Sequence, residues 1–365
     1  MLELASYAGY LPNLLVFVLV LGVLMFVHEL GHFVTARRSG IVVEEFGFGL
    51  PPRMFGVERG GVMYSLNWIP FGAFVKMLGE EDPNAPGSFA SKSKLTQIIV
   101  LAAGSGMNYL TAGLAFAAAY MTGFPTPVNV AIMSVSPGSP ADVAGLRVDD
   151  IVDRFGGRQI TTVDEFRQLA LGAVGKPIEL TVRRGQDALT VSVTPRENPP
   201  AGQGAVGVAL RPGEVRPVRY NPIEAVGLGF WRATQVIELT ITAPLMVLQG
   251  MASADMLRPV GLPGMAQATS QAVDAVVSSG YLYPVLMMAG TFSAGLAFAN
   301  MLPIPALDGG RIFFIVIEMI RGRAISPERQ SLVHYVGIVV LIALMVLVSV
   351  NDLRNPLPSI DWGVK

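Results

Sequence analysis

The chain has 365 residues, 52% of them hydrophobic and only 15% charged, with a mean hydropathy of +0.51. An average soluble domain carries roughly 25% charged residues, so the composition excludes a disordered chain and argues against an ordinary soluble enzyme. Lys and Arg number 26 against 27 Asp and Glu, and there is no cysteine, which removes a basic nucleic-acid footprint, a disulfide framework and thiolate chemistry.

The first predicted element is a membrane span. Leu4 to Val27 is 24 residues without a charge, and a bilayer crossing needs about 20. The basic start and small-residue cleavage site of a signal peptide are not seen. The run continues into Val27-His-Glu-Leu-Gly-His-Phe-Val34, which holds two of the three histidines in the chain. Four residues apart, His28 and His32 share one helix face. The pattern H-E-x-x-H lets both imidazoles hold one Zn²⁺ while Glu29 serves as base toward the attacking water. Gly31 leaves room for a substrate or a neighbouring backbone. An ionisable cluster at a span end is costly unless it has a task.

Residues 37–94 carry Arg37, Arg38, Arg53, Arg59, Lys76, Lys92 and Lys94, which places this loop in the cytoplasm by the positive-inside rule. Phe46-Gly-Phe-Gly49 opens two predicted hairpins. Leu50 to Gly61 supplies turns, and Val62 to Ile69 reads as a strand. An apolar strand edge beside the membrane suits pairing with an unwound substrate segment; a hairpin that merely seals the surface is the alternative. Glu80, Glu81 and Asp82 with Pro83 and Pro86 read as a solvated connection. Leu95 begins the second span, which ends before Thr122-Gly-Phe-Pro-Thr-Pro127.

Residues 128–210 read as a separate soluble unit of short β segments, with a helix from Val163 to Leu171. Ser136-Pro-Gly-Ser-Pro-Ala-Asp-Val-Ala-Gly-Leu146, Asp149-Asp-Ile-Val152 and Gly156-Gly157 resemble a PDZ domain of bacterial protease type. That resemblance implies a groove for a peptide or chain end; a passive spacer is the alternative. Residues 211–274 form a linker and an amphipathic segment, with Pro222 suited to a helix first turn. Leu239 to Ala254, 16 uncharged residues with Pro244, is expected to be interfacial or re-entrant.

Ala275 to Leu307 is 33 residues without charge, and Gln330 to Asn351 is 22; they are the third and fourth predicted spans. Arg321, Arg323 and Arg329 put the loop between them in the cytoplasm. Residues 128–210 then face outward. Asp308 ends the third run in Asn300-Met-Leu-Pro-Ile-Pro-Ala-Leu-Asp-Gly-Gly310. A carboxylate at that depth needs a partner, and Zn²⁺ is a strong one; the alternative is a cap on the next helix. Pro303 and Pro305 break the helix, and Gly309 and Gly310 permit a sharp exit. Asn300 either bonds a neighbouring helix or holds a substrate carbonyl. His334 reads as an interfacial side chain.

His28-Glu-Leu-Gly-His32 in a first span, with Asn300-x-x-Pro-x-Pro-x-Leu-Asp-Gly309 in a later one, resembles the site-2 protease family of intramembrane zinc metalloproteases, in its bacterial, PDZ-containing branch. The resemblance implies that His28, His32 and Asp308 bind Zn²⁺, that Glu29 activates water and that Asn300 handles substrate. The second span has Gly104-Ser-Gly-Met-Asn108, with Ser105 where proline is common in the family. The expected fold is a polytopic α-helical membrane protein with about four transmembrane helices, a membrane-associated β element and one extracytoplasmic PDZ domain. Residues 1–127 and 275–365 form its membrane regions. The implied activity is hydrolysis of single-span membrane proteins in a bacterial cytoplasmic membrane, as the second cut of regulated intramembrane proteolysis. Expected partners are those substrates, the lipid bilayer and a peptide or chain end at the PDZ groove, with no nucleic acid. A metal transporter predicts repeated ligand sets, and none is seen. A non-catalytic PDZ scaffold predicts loss of a ligand position, and all four are present.

Overall fold

The computed structural model describes residues 2–80, 85–200, 202–323 and 325–363. In chain order the elements begin with α1 (Leu2–Arg38), β1 (Val43–Arg59), β2 (Val62–Met77), α2 (Lys94–Met121), β3 (Phe124–Pro127), β4 (Val130–Val135) and α3 (Pro140–Val143). They continue with β5 (Ile151–Phe155), β6 (Arg158–Gln159), α4 (Val163–Gly172), β7 (Ile178–Arg184), β8 (Asp187–Val193), β9 (Val208–Pro212) and β10 (Val215–Val218). The chain closes with α5 (Pro222–Leu248), α6 (Leu262–Ser279), α7 (Tyr283–Asn300), α8 (Asp308–Arg321) and α9 (Pro327–Arg354). There are two compact units. One takes the chain up to Thr122 and again over Tyr220–Trp362; the other is Gly123–Arg219 with the last few residues.

Among the described residues, three helices are long and apolar enough to cross a membrane: Pro12–Arg38, Lys94–Met121 and Glu328–Arg354. They answer to the first, second and last predicted spans. The third differs. Residues 275–307 do not form one helix: α6 ends at Ser279, Gly280 takes a left-handed φ of 74°, and Pro284 stands in the first turn of α7. At 18 residues, α7 rises about 27 Å. An uncharged run measures polarity and not helical continuity, and here a glycine, a proline and the break after Asn300 divide it.

The helices of this unit approach through small residues, as membrane helices do. A Cβ on Gly31 of α1 would lie 2.4 Å from the Ala103 carbonyl oxygen of α2, and one on Gly229 of α5 would lie 2.3 Å from that of Gly113. Thus Gly31 makes room for a neighbouring backbone. Asn221 caps α5 by accepting from the Glu224 amide, and Pro222 sits in its first turn. The helix runs unbroken through Pro244 to Leu248, so residues 239–248 belong to it. Gly261 has no side chain to cap α6; fully buried Asp352 of α9 does so instead, accepting from the amides of Gly261 and Gly264 at 2.7 and 3.1 Å.

Between α1 and α2 the chain forms one long antiparallel ribbon doubled back on itself. Of residues 50–61, expected as turns, 53–59 are strand; Phe46 and Val57 both lie opposite Tyr64, so the chain reverses between them around Pro51 and Pro52, and again at Gly60 and Gly61, with φ of 61° and 75°. Phe46 lies opposite both Tyr64 and Val75, so the first half of β1 is sandwiched by the two halves of β2. The second half, Arg53 to Arg59, pairs only with residues 62–67 and forms an outer edge. Val43, Phe46, Val62 and Met77 enter a core with Ala36, Val100, Leu101 and Ile315. The ribbon is thereby fixed to α1, α2 and α8. Residues 81–84 of the acidic connection that follows lie outside the described residues.

In the second unit an antiparallel sheet runs β8-β7-β5-β4-β9, with β6 on β5, and β3 pairs with β10. That last pair carries the unit beyond 128–210. Alternate residues Val130 and Ile132, and Leu180 and Val182, point into the core, the period of two expected of strands. Phe155 and Phe166 meet edge to face at 5.3 Å. Buried Asp150 accepts from both Nε and Nη2 of Arg184 at 2.8 and 2.7 Å, and from the Arg147 amide at 2.8 Å. Burial by itself raises the Asp150 carboxyl, but the hydrogen bonds from Arg184 and the Arg147 amide outweigh it and hold the group below the usual carboxylate range. Its stabilising contribution is complete above the ordinary value near 4 and is lost as pH falls through the lower folded value. Asp150→Ala is expected to destabilise this unit by about 2 kcal/mol, less than a fully buried pair because Arg184 reaches solvent. Protease susceptibility of residues 123–219 in the full chain, followed against temperature at pH 7 and pH 3, checks it.

Candidate metal centre

His28 and His32 stand one turn apart on α1, both buried, with ring centroids 4.7 Å apart. Their Nε2 atoms are 3.1 Å apart. Asp308, 276 positions along the chain from His32, is the first residue of α8, and its Oδ2 lies 3.1 Å from His28 Nε2 and 3.3 Å from His32 Nε2. Leu307 is the N-cap of α8 and makes no side-chain cap bond. The Asp308 carboxylate faces the histidines, and the N-cap position itself belongs to Leu307.

The outer nitrogens show what the inner ones present. His32 Nδ1 lies 2.8 Å from the Val100 carbonyl of α2. A carbonyl only accepts, so Nδ1 carries the proton and a neutral ring turns a bare Nε2 lone pair inward. His28 Nδ1 meets the buried Asn108 amide at 3.3 Å, and Asn108 Oδ1 has no other partner among the described residues. Turned end for end, the amide offers Oδ1 to His28 Nδ1–H and leaves that Nε2 bare as well. Asp308 Oδ2 is buried and receives no hydrogen bond among the described residues. Three electron-pair donors thus converge with no proton between them, an arrangement that a cation relieves. A tetrahedral zinc ion with bonds near 2.0–2.1 Å has ligand-to-ligand edges of about 3.3 Å, which these three atoms match. The residues present fit zinc.

Glu29 is half-buried beside this triad. One carboxylate oxygen and a ligand nitrogen from each of His28 and His32 lie within 4.8 Å of one another. The Val75 backbone of β2 lies beside the Glu29 carboxylate, so the ribbon reaches the site. Asn300 ends α7, half-buried, and its side chain makes no hydrogen bond among the described residues. It lies eight positions before Asp308 and outside the converging triad. His334 stands on α9, also outside the triad, its Nδ1 accepting from the Ala306 amide at 3.1 Å.

Sequence reasoning missed Val100 and Asn108 as supports of the histidines. A carbonyl carries no signal in a sequence. Asn108 did carry one, as a polar amide inside an apolar span. Gly104 is the third contribution of α2: a Cβ there would lie 2.4 Å from His32 Nε2 and 2.7 Å from His28 Cε1. Gly104→Ala is expected to push the rings off the metal position and weaken zinc retention by 10-fold or more, on the order of a supporting-residue loss. Competition with a colorimetric chelator measures it.

The profile of peptidase family M50 matches residues 16–344. A protein of Clostridium perfringens strain 13, provisionally named a zinc metalloprotease, is 36% identical over 341 residues, covering 93% of this chain and 98% of its own length. The zinc metalloproteases RasP of Oceanobacillus iheyensis and Bacillus licheniformis are 25% and 27% identical, each across 94% of this chain and 99% of their own. The profile spans the helix that carries His28 and His32 and the loop that delivers Asp308, and the chain belongs to peptidase family M50, the site-2 protease family of zinc metalloproteases.

Proposed function

We propose that this membrane-embedded metalloprotease is an endopeptidase that cuts peptide bonds in or near transmembrane segments. The observation that carries the reading is the convergence of His28 Nε2, His32 Nε2 and Asp308 Oδ2 within 3.3 Å inside an apolar helical unit. In this reading these three atoms hold the zinc and α7 is a fourth, short span. When bound, the metal polarises the scissile carbonyl and acidifies the attacking water. Glu29 takes the proton of that water and passes it to the leaving nitrogen. The Val75 backbone of the ribbon faces Glu29. A helical substrate hides its carbonyls and must unwind first. The edge of β1 from Arg53 to Arg59, with Phe55 and Val57 exposed, suits pairing with the unwound strand. Asn300 handles the substrate.

In this reading, supported by the basic residues of the loops, the ribbon and the α8–α9 connection are cytoplasmic and residues 123–219 lie outside, in a bacterial cytoplasmic membrane. That second unit is a PDZ domain in this reading. A cavity of about 540 Å³ lies between α4 and β9, lined by Phe166, Ala170, Val206, Val208 and Leu210. Strand β9 ends the sheet, so its outer edge is open to a peptide or chain end. Substrates are single-span proteins trimmed outside beforehand, cut here as the second step of regulated intramembrane proteolysis.

The test is incubation of purified protein with single-span peptides, with and without a helix-breaking residue at mid-span, followed by mapping of the products. Cleavage inside the span, stopped by a zinc chelator and restored by zinc, is expected. Intact peptides from zinc-loaded protein would favour the scaffold.

A further inference from the structure

The loop 301–307 that delivers Asp308 is held from an unexpected side. Ala306 has φ of +81°, a left-handed conformation that costs a residue with a side chain on the order of 1 kcal/mol. Its amide donates to His334 Nδ1 at 3.1 Å. Three residues along α9, on the same face, Gly337 meets the same loop: a Cβ there would lie 2.4 Å from Pro305 Cβ and 2.8 Å from its carbonyl oxygen. The loop in turn lies on the first turn of α8, since a Cβ on Gly309 would fall 2.3 Å from the Leu302 oxygen and one on Gly310 2.3 Å from that of Ile304. Gly309 and Gly310 therefore serve close approach, and the left-handed turn falls on Ala306. Most of α9 is exposed apolar surface, Val340, Val346 and Leu347 among it. His334 and Gly337 are where this largely exposed helix grips the loop.

We propose that His334 and Gly337 of α9 hold the loop 301–307 in the one conformation that places Asp308 Oδ2 against the two histidines. His334 is a positioning residue, and the last helix is part of the metal centre's support as well as an anchor. A cavity of about 580 Å³ lined by Lys94, Arg311, Glu318 and His334 opens beside Ala306. With these charged groups at its wall the cavity admits water, to which an Ala306 amide deprived of His334 turns. The bond therefore acts mainly by orienting the loop, and its loss is felt at Asp308. The inference rests on His28, His32 and Asp308 being the zinc ligands.

The test uses zinc-loaded full-length protein and four chains: the parent, His334→Leu, His334→Asn and Gly337→Ala. Asn offers Oδ1 where His offers Nδ1; Leu offers no acceptor. Zinc release to excess chelator and the visible spectrum of the cobalt-substituted protein are read beside the thermal midpoint. His334→Leu is expected to release zinc 10- to 100-fold faster, the size of effect of losing a supporting contact, with an altered cobalt spectrum. His334→Asn should restore release to within about threefold of the parent. Gly337→Ala should speed release although alanine ordinarily strengthens a helix. Parent-like release and cobalt spectrum in His334→Leu overturn the proposal, as does an Asn variant that behaves like Leu. If His334→Leu does not fold, parent-like release in Gly337→Ala overturns it. A parent protein that binds no zinc sinks the ligand assignment instead.

Discussion

Glu29→Gln is expected to lower peptide cleavage by about 10³-fold or more while leaving zinc content and fold unchanged. Gln keeps the length of the side chain, but it cannot take a proton from water at neutral pH. Because Glu29 stands beside the converging triad and is not among its three closest atoms, metal retention is not expected to fall with activity. Initial rates on one single-span peptide, with elemental analysis of the same samples, check both halves. Cleavage at a rate near the parent's would remove Glu29 from the base role. Loss of zinc together with activity would make it a ligand.

For Asp308→Ala the pattern reverses, and metal goes first. Catalytic zinc sites use three protein ligands and keep a fourth position open. Removing the carboxylate leaves two neutral imidazoles and takes away the only negative charge among the three ligand atoms. Substitutions of mere supporting residues weaken metal binding by about 10- to 100-fold, so loss of a direct ligand is expected to exceed the top of that range. Zinc per chain after dialysis against a weak chelator should fall from about one to near zero. The helices should persist, since Asp308 is not the N-cap of α8 and turns its carboxylate to the histidines. An Asp308→Ala protein that keeps one zinc through the same dialysis would show that another group completes the site.

The two experiments separate jobs that a loss of activity alone cannot. Glu29 and its neighbours on α1 come from a single turn of helix, but their supports come from elsewhere. Val100 and Asn108 of α2 orient the rings, Gly104 makes space for them, and Val75 of the ribbon reaches Glu29. A change in any of these acts on the chemistry without touching a ligand.

What could be read in one dimension was whatever depends on spacing and on the cost of polarity. His28 and His32 share a helix face because they are four residues apart, and that holds in any packing. Asp308 was recognisable because a carboxylate closing a 33-residue uncharged run demands a partner. The first, second and last spans followed from hydropathy. The continuity of the third did not, because the left-handed Gly280 and the break after Asn300 are decided by how α6, α7 and α8 pack. The ribbon likewise needed its register, since turn residues mark the reversals near Pro51 and at Gly60, but nothing in the sequence says that residues 62–67 lie between the two halves of β1. The supports of the site were hidden for a plainer reason. His32 finds Val100 across 68 residues, His28 finds Asn108 across 80, and His334 finds Ala306 across 28. Two of these partners offer only backbone, which every residue has, and only the packing of α1 against α2 and of α9 against the 301–307 loop selects which backbone group is used.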